Sequence, residues 1–201
     1  MKFDIKLQEA KQAIAIPGFK RDDLLTIALI DLSTLNHPAT SKAEREHFER
    51  MHRRLAFLGD ALFDFVLADY LFRINAELTK EDLDDWRQRT ASTDSFTKFA
   101  IEIGLPEFSS SRNKKNRKPP AQEPRIWAEM FEAVVGVIFI DRDRDFLKLS
   151  TWLNDRFIRN AIGAYVGDPD YDATVSTTEY LDMIGLENSF GCVWAPGDDD
   201  D

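Results

Sequence analysis

The sequence predicts an all-α fold, and two long apolar segments are the main evidence for it. Residues 54–71 and 127–141 are both mostly apolar and are interrupted by only a few carboxylates. In the first segment the apolar residues recur mostly every three or four positions, which is typical of one buried face of a helix. These residues are Leu55, Leu58, Leu62, Phe65, Val66 and Leu71.

Two shorter helices are predicted before the first apolar segment. Residues 3–14 form one of them, and Pro17 followed by Gly18 ends it. Residues 21–32 form the next, with acidic residues in its first turn, where they suit the helix dipole. Its predicted core residues are Leu24, Leu25, Ala28, Leu29 and Leu32.

A charged segment, residues 41–53, leads into the first apolar segment. Ser41 and Glu44 have the spacing of a capping box, in which each side chain bonds the backbone N–H of the other residue. We therefore expect a helix to begin there. The three histidines share no metal-ligand spacing and are predicted to lie at the surface: His37, His47 and His52.

Three further helices are predicted around the second apolar segment. Thr79 has the position of an N-cap for a helix over residues 79–90. Thr93 and Asp94 are expected to cap another helix over residues 93–103. The charged residues 141–145 break the chain, and the last helix of the body follows over residues 146–162.

Carboxylates on the two apolar segments are the chemical signal in this sequence. Asp60 lies in the first, and Glu129 and Glu132 lie three residues apart on one face of the second. A charge inside an apolar helix is costly unless it is paired or coordinates a metal. Clustered oxygens without His or Cys suit a hard cation, Mg²⁺ above all. The alternative that spacing leaves open is a set of boundary charges or structural ion pairs.

Two motifs carry a resemblance to a known family. Residues 55–62, Leu-Ala-Phe-Leu-Gly-Asp-Ala-Leu, resemble the signature of the ribonuclease III family, which usually reads Leu-Glu-Phe-Leu-Gly-Asp-Ala-Val/Leu. Residues 129–136, Glu-Met-Phe-Glu-Ala-Val-Val-Gly, are similar to the second motif of that family, Asp-x-Phe-Glu-Ala-Leu-x-Gly/Ala. The two motifs agree in order and spacing, and the resemblance covers residues 15–163.

The sequence departs from the family pattern at two positions. The signature glutamate is Ala56, and the second-motif aspartate is Glu129. The two positions regarded as essential in the family are kept as Asp60 and Glu132. The alanine resembles mini-ribonuclease III, an active class without a double-stranded RNA-binding domain. Asp64, one turn beyond Asp60, is a further candidate that could partly replace the lost carboxylate.

The resemblance implies a ribonuclease III endonuclease-domain helical fold that acts as a homodimer. It implies Asp60 and Glu132 as catalytic residues, and Asp60, Glu129 and Glu132 as ligands of Mg²⁺, for which Mn²⁺ can substitute. Hydrolysis of double-stranded or structured RNA, with precursors of ribosomal RNA as a common target, would leave 5′-phosphate and 3′-hydroxyl ends. Phe57 matches the aromatic residue of the family's dimer interface; the alternative for Phe57 is an internal core position.

A basic run precedes the second apolar segment and has the composition of a loop. It leads directly into the helix that carries Glu129 and Glu132, so we expect it to start near the carboxylates and to contact RNA phosphates. A solvated charged loop is the alternative. The candidate RNA-binding residues are Arg112, Asn113, Lys114, Lys115, Arg117 and Lys118.

Charge divides the chain into two predicted parts. The net charge is −10, and residues 164–201 account for all of it with ten acids and no Lys or Arg. Residues 1–163 hold 26 acids and 26 bases, which permits a basic face beside an acidic site. We therefore expect an endonuclease domain over 1–163 and a largely irregular acidic tail over 164–201. A single cysteine, Cys192, and no apolar run of transmembrane length favour a cytoplasmic protein without a membrane partner.

Two other functions remain open from the sequence. Ala56 favours a catalytically impaired ribonuclease III-like protein that binds structured RNA or a ribonucleoprotein without cleaving it. A purely helical interaction module is the third possibility, and the basic run beside the carboxylates disfavours it. Cleavage that depends on Mg²⁺ distinguishes the nuclease from both alternatives.

Overall fold

The structure, a computed structural model, describes residues 3–36, 40–75, 77–111 and 118–166, with side chains to residue 163. Every regular element within these ranges is a helix, which confirms the predicted all-α fold. The α-helices are α1 (Leu7–Ile14), α2 (Asp22–Ala28), α3 (Lys42–Ile74), α4 (Lys80–Thr90), α5 (Thr93–Glu102), α6 (Leu105–Phe108), α7 (Pro124–Asp141), α8 (Phe146–Leu153) and α9 (Arg159–Val166).

Helix α3 joins the charged segment and the first apolar segment into one helix of 33 residues. The predicted capping box starts it: the Glu44 N–H donates to Ser41 Oγ at 3.2 Å, and the Ser41 N–H donates to Glu44 Oε2 at 3.0 Å. These bonds satisfy backbone donors that the first turn of a helix leaves unpaired. At about 1.5 Å per residue, the helix is about 50 Å long.

Helix α7 lies at the centre of the fold, against α3 and α5. Its residues from Trp127 to Ile138 are buried except at the two glutamates, Glu129 and Glu132. Aromatic side chains from α7 and from three other helical segments form a cluster, with ring centroids 4.8–6.5 Å apart. Each fully buried large apolar side chain contributes about 1.5–3 kcal/mol. This cluster contains Phe63, Phe96, Phe99, Phe131 and Phe157.

Two glycines let the backbones of α3 and α7 touch. A Cβ atom added at Gly59 would lie 1.8 Å from the Glu132 carbonyl oxygen. A Cβ atom added at Gly136 would lie 2.3 Å from the Leu55 carbonyl oxygen. No side chain larger than hydrogen fits at either position, so the two glycines fix where the helices cross.

Several sequence-based expectations are wrong in detail. His52 is buried, with 2% of its surface exposed, because it lies on the α7-facing side of α3, one turn before Ala56. Phe65, predicted in the core, is 60% exposed because it lies on the outward side of that helix. Helix α2 ends at Ala28, short of the predicted residue 32, and a 3₁₀ turn follows over Leu32–Asn36. Ser92, rather than Thr93, caps α5 by accepting from the Ser95 N–H.

The last helix begins where predicted and continues to Val166. A π-helical turn over Asn154–Ile158 separates α8 from α9. Trp152 Nε1 and an Arg156 N–H both donate to the Ile14 carbonyl, at 2.9 and 3.0 Å, and so fasten the end of α1 to this helix. Within the described ranges, none of the helices combines the length and the apolar character needed to cross a membrane.

Candidate functional site

The candidate site lies at the crossing of α3 and α7. Gly59 packs against the backbone of Glu132, and Asp60 is the next residue on α3. The close helix contact therefore brings Asp60 and Glu132 together, although they are 72 positions apart in the sequence. Glu129 lies one turn before Glu132 on α7, so it joins them from the same face.

A cavity of about 440 Å³ opens beside this crossing. Glu129 and Glu132 are both partly buried and both line it. Asp60 is mostly exposed and is not part of the lining, so none of the three predicted site carboxylates is fully buried. The remaining lining residues are Arg53, Ala56, Phe57, Thr93, Arg125 and Ala128.

The charge of Glu132 has no compensating partner in the part of the chain that the structure describes. Burial, then the negative charge of Asp60, then that of Glu129 raise the pKa of Glu132 to about 8. Burial and the charge of Asp64 also raise the pKa of Asp60. No described residue forms a hydrogen bond or ion pair with the Glu132 carboxylate. A crowded carboxylate of this kind favours a proton or a bound cation.

Two arginines line the cavity without neutralising its carboxylates. Arg53 donates to Glu49, one turn earlier on α3, with 2.8 Å between nitrogen and oxygen. Arg125 is exposed and forms no ion pair within the described ranges. The cavity therefore presents cationic and anionic groups side by side, an arrangement suited to a phosphate that is bridged to a metal ion.

The other predicted site residues take up distinct positions. Ala56 is 4% exposed and forms part of the cavity wall, on the turn before Asp60. Phe57 is 80% exposed, which rules out an internal core position within one subunit. Asp64 is paired with Arg87 at 3.0 Å, so its charge has a partner within the protein. Its partial replacement of the carboxylate missing at Ala56 stays a prediction.

The predicted RNA-binding run is only partly described. Residues 112–117 lie outside the described residues, as do His37, Cys192 and the acidic tail from residue 167 onward. Lys118 is described and is exposed. It precedes a 3₁₀ turn and the start of α7 at Pro124, the helix that carries both glutamates.

The carboxylates fit a metal ion that keeps most of its own water ligands. Among described positions, no three His, Cys, Asp or Glu side chains are close enough to hold a metal ion by themselves. Mg²⁺ does not need such a cage, because it commonly binds one or two carboxylates, waters and substrate phosphates. The unpaired Glu132 beside Asp60 is a donor set of that kind.

A second cavity next to the site was not predicted from the sequence. Asp31, Ser33 and His52 line a second cavity of about 90 Å³, and Glu129 forms part of its wall. The spacing of His52, Ala56 and Gly59 matches one helix face, and that signal could have indicated burial of the histidine. Nothing in the local sequence indicates that Asp31 approaches this face, since the contact depends on the tertiary fold.

The chain is similar to known proteins over the region that contains the candidate site. The sequence profile of the ribonuclease III domain matches residues 53–143, a range that contains all three carboxylates. The chain is 28% identical over 127 residues to "Ribonuclease 3" of Ligilactobacillus salivarius, covering 63% of this chain and 53% of that protein. It is 30% identical over 129 residues to "Ribonuclease 3" of Campylobacter jejuni, covering 64% of this chain and 57% of that protein.

The fold is similar to that of a solved nuclease domain. The nuclease domain of ribonuclease III from Campylobacter jejuni, studied for flexibility in a region involved in dimer formation, matches with a TM-score of 0.58 and 26% identity. The match covers 78% of this chain and 98% of that domain. The chain spans little more than half the length of the curated relatives given above.

Proposed function

This chain belongs to the ribonuclease III family, and from that premise we propose that it is a metal-dependent endoribonuclease. The substrate would be double-stranded or structured RNA, with ribosomal RNA precursors as one candidate in a cytoplasmic processing role. The products would carry 5′-phosphate and 3′-hydroxyl ends. The observation that carries the proposal is Glu132, half-buried beside two other carboxylates, with a pKa of about 8 and no cationic partner among the described residues.

Asp60 and Glu132 would hold Mg²⁺, and Glu129 would act as an auxiliary ligand, directly or through water. When bound, Mg²⁺ would activate the attacking water and neutralise charge on the phosphate. Glu132 has to lose its proton to serve as a ligand, because its pKa lies near 8 in the absence of a cation. The close contact of Gly59 with the Glu132 backbone would keep the two proposed ligands, Asp60 and Glu132, close together.

The cationic groups around the site would bind the RNA backbone. Arg125 is available within the described ranges, and Arg53 lies on the opposite helix in the same cavity. Both would contact phosphate oxygens next to the scissile bond, which positions the RNA without reading its sequence. The basic run over 112–118 would extend this surface and make binding depend strongly on salt.

The exposed side of α3 supports the proposed homodimer. Five exposed apolar residues share this side, within about 80° around an axis with about 100° per residue. A surface patch of large apolar side chains typically marks an interaction site. A second copy of the same helix could cover it through a two-fold axis, as the family resemblance implies. These residues are Phe57, Ala61, Phe65, Ala68 and Phe72.

Incubation of the purified protein with long double-stranded RNA and Mg²⁺ tests the proposal. Cleavage is expected for the wild type and for Glu9→Gln, which alters an exposed carboxylate on α1. Asp60→Asn and Glu132→Gln should abolish cleavage while RNA binding in a gel-shift assay persists. The proposed nuclease activity would be refuted if the wild type cleaves neither double-stranded RNA nor precursor ribosomal RNA, with Mg²⁺ or with Mn²⁺.

A non-catalytic RNA-binding protein is the second candidate function. It is favoured by Ala56, a small apolar residue that lines the cavity where the family has a glutamate. RNA affinity without cleavage would support this alternative. Ala56→Glu then separates two causes: gain of cleavage would identify the missing carboxylate as the defect, and continued inactivity would favour a dedicated binding role.

A further inference from the structure

Part of the wall of the site cavity is formed by the first turns of two helices, α5 and α7. Thr93 is the first residue of α5 and Arg125 is the second residue of α7. Both residues are exposed, and both line the cavity. They are 32 positions apart in the sequence, so a tertiary contact has to set the distance between them.

The hydroxyl group of Thr97 makes a contact of this kind. Thr97 is 5% exposed and lies one turn after Thr93 on α5. Its Oγ1 lies 2.7 Å from the Thr93 carbonyl oxygen and 2.9 Å from the Pro124 carbonyl oxygen, and the hydroxyl donates to these two acceptors. Pro124 directly precedes Arg125. One buried hydroxyl group therefore joins the backbones of the two segments that carry Thr93 and Arg125.

The bond from Thr97 to α7 goes beyond what a helical threonine usually makes. A threonine inside a helix often donates to the carbonyl four positions earlier, and that local bond has no tertiary role. Thr26 is an example in this protein, since its Oγ1 donates to the Asp22 carbonyl at 2.8 Å and to no second acceptor among the described residues. Thr97 differs because it also reaches a carbonyl 27 positions further along the chain.

The start of α7 lacks a side-chain cap within the described part of the chain. Its N-cap residue, Glu123, makes no capping hydrogen bond with its side chain there, and Pro124 has no N–H to donate. The first turn of a helix leaves backbone groups unpaired and frays unless other groups hold it. We therefore expect the hydrogen bond from Thr97 to Pro124 to hold the first turn of α7 against α5.

Arg125 is a side chain that would depend on such support. It forms no ion pair or hydrogen bond with any described residue, so no partner fixes its guanidinium group. Ordering a free arginine on a ligand costs side-chain entropy. A backbone that is already held in place lowers the cost of binding and restricts the directions in which the guanidinium group can point.

We propose that Thr97 is a positioning residue for Arg125: its hydroxyl group holds the first turn of α7 against α5, so that Arg125 is directed at an RNA phosphate in the site cavity. This inference rests on the proposed function, in which Arg125 binds the RNA backbone, and deepens it. Thr97 does not line the cavity and acts through the Pro124 carbonyl.

The first test measures the contact itself and needs neither metal nor RNA. Thr97→Val keeps the shape of the side chain but removes the hydroxyl group, whereas Thr97→Ser keeps that group. Amide hydrogen exchange over residues 125–128 should become about 3–10-fold faster in Thr97→Val, because the first turn of α7 opens more often. The matched control, Thr26→Val, removes only a local bond and should leave this exchange unchanged. Unchanged exchange in Thr97→Val would overturn the inference.

The second test measures RNA binding in a double-mutant cycle with Arg125. All variants carry Glu132→Gln, so that a short RNA duplex stays intact in Mg²⁺ while fluorescence anisotropy reports its binding. Arg125→Gln should lower the slope of log K against log salt concentration by about one, since one phosphate contact is lost. Thr97→Val should weaken binding by up to about 10-fold at low salt and lower the slope in the same direction.

Thr97→Ser should restore both the affinity and the slope, and Thr26→Val should change neither. In the Arg125→Gln background, Thr97→Val should have no further effect, because the side chain that it positions is absent. Equal losses from Thr97→Val with and without Arg125 would show that Thr97 supports only the fold, and would overturn the inference.

The outcomes separate this inference from the proposed nuclease activity. A non-additive loss of RNA binding that serine restores would support the inference even if the wild type cleaves no RNA. Additive losses would overturn it even if the wild type is an efficient nuclease. A protein that binds no duplex RNA in any variant would overturn the inference together with the RNA-binding role of Arg125. If Thr97→Val fails to fold, Thr97→Ala removes the same hydroxyl group and takes its place in both tests.

Discussion

Two acidic residues on α7, Glu132 and Asp141, differ in the partners of their carboxylates and in the direction in which their pKa values are shifted. Burial alone would raise the pKa of Asp141, but hydrogen bonds from Arg142 and from the N–H groups of Lys20 and Arg21 outweigh it, so that the pKa is lowered. The two N–H groups donate at 2.6 and 2.7 Å. Glu132, nine positions earlier, has a pKa raised to about 8 and none of these partners.

The difference separates a carboxylate that stabilises the fold from one available to a ligand. Asp141 joins the end of α7 to the connection before α2, and Arg142 adds bonds to the carbonyls of Pro17 and Gly18 at 2.9 and 3.1 Å. The charge of Asp141 is therefore neutralised by hydrogen bonds within the protein. The charge of Glu132 is left for a cation, since the charged groups that shift its pKa are the carboxylates of Asp60 and Glu129 and it has no ion-pair partner among the described residues.

The largest expected effect is on RNA cleavage, after substitution of Glu132. Glu132→Gln should lower the rate of RNA cleavage about 1000-fold or more, because a metal contributes several kcal/mol to phosphate chemistry. Its free energy of unfolding should stay about the same at pH 7, where Glu132 is mostly protonated, and should exceed that of the wild type above pH 8, where the substitution removes an unpaired, half-buried charge. Single-turnover cleavage and urea unfolding measure the two quantities. A loss of stability in Glu132→Gln would contradict the contrast with Asp141.

The next largest effect is on the free energy of unfolding, after substitution of Asp141. Asp141→Asn should lower the free energy of unfolding by about 3 kcal/mol, because it weakens several charge-assisted hydrogen bonds in a buried place. Cleavage per folded molecule should remain, as Asp141 lies outside the site cavity. Urea unfolding followed by circular dichroism checks the first part. A stable but inactive Asp141→Asn would show that this residue belongs to the catalytic machinery after all.

The pH dependence of stability should have opposite signs for the two acids. The raised pKa of Glu132 means that the folded state holds its proton above the ordinary value of 4.5, so stability falls as pH rises from about 4.5 to about 8. Partial exposure limits this change to about 1–2 kcal/mol. The lowered pKa of Asp141 means that its contribution is lost as pH falls below its ordinary 3.8.

Thermal unfolding from about pH 2 to pH 9 measures both parts of this dependence. In Glu132→Gln the decline between pH 4.5 and 8 should become shallower, while the loss at acid pH remains. If stability falls equally with pH in the wild type and in Glu132→Gln, a group other than Glu132 causes the fall.

The smallest expected effect is the stabilisation by added Mg²⁺. At ten times the dissociation constant, binding to the folded state adds about 1.4 kcal/mol. The apparent affinity should increase with pH up to about 8, because Mg²⁺ has to displace the proton of Glu132. Thermal shifts with and without Mg²⁺ measure this effect. Equal shifts in the wild type and in Glu132→Gln would show that the ion binds somewhere else.

The local features of the fold could be predicted from the sequence. Both long helices, the Ser41–Glu44 capping box and the Thr79 cap follow from short-range spacing, and the structure confirms them. The carboxylates of the candidate site could be named for the same reason, since the motifs that contain them are short and contiguous. Their roles in metal binding and catalysis stay predictions.

Apart from the local shift of the α5 cap to Ser92, the main features that the sequence did not reveal depend on the tertiary packing. The partners of Asp141 lie 120 and 121 positions away, so the break predicted at residues 141–145 gave no sign of its function as a link. His52 was predicted at the surface because its charged neighbours on α3 dominate the local pattern. Phe65 was predicted inside because its apolar character fits either side of a helix until the packing partners are known.

The glycine contact between α3 and α7 has a consequence for biosynthesis. Gly59 and Gly136 are 77 positions apart, so the two halves of the site meet only through a contact of long sequence separation. Helix α3 emerges from the ribosome first, with Asp60 but without Glu129 or Glu132. Domains form as units once their later segments are available. A nascent chain therefore has no carboxylate cluster until α7 has been synthesised, and no divalent cation can be captured at this place while the ribosome is still translating the preceding residues.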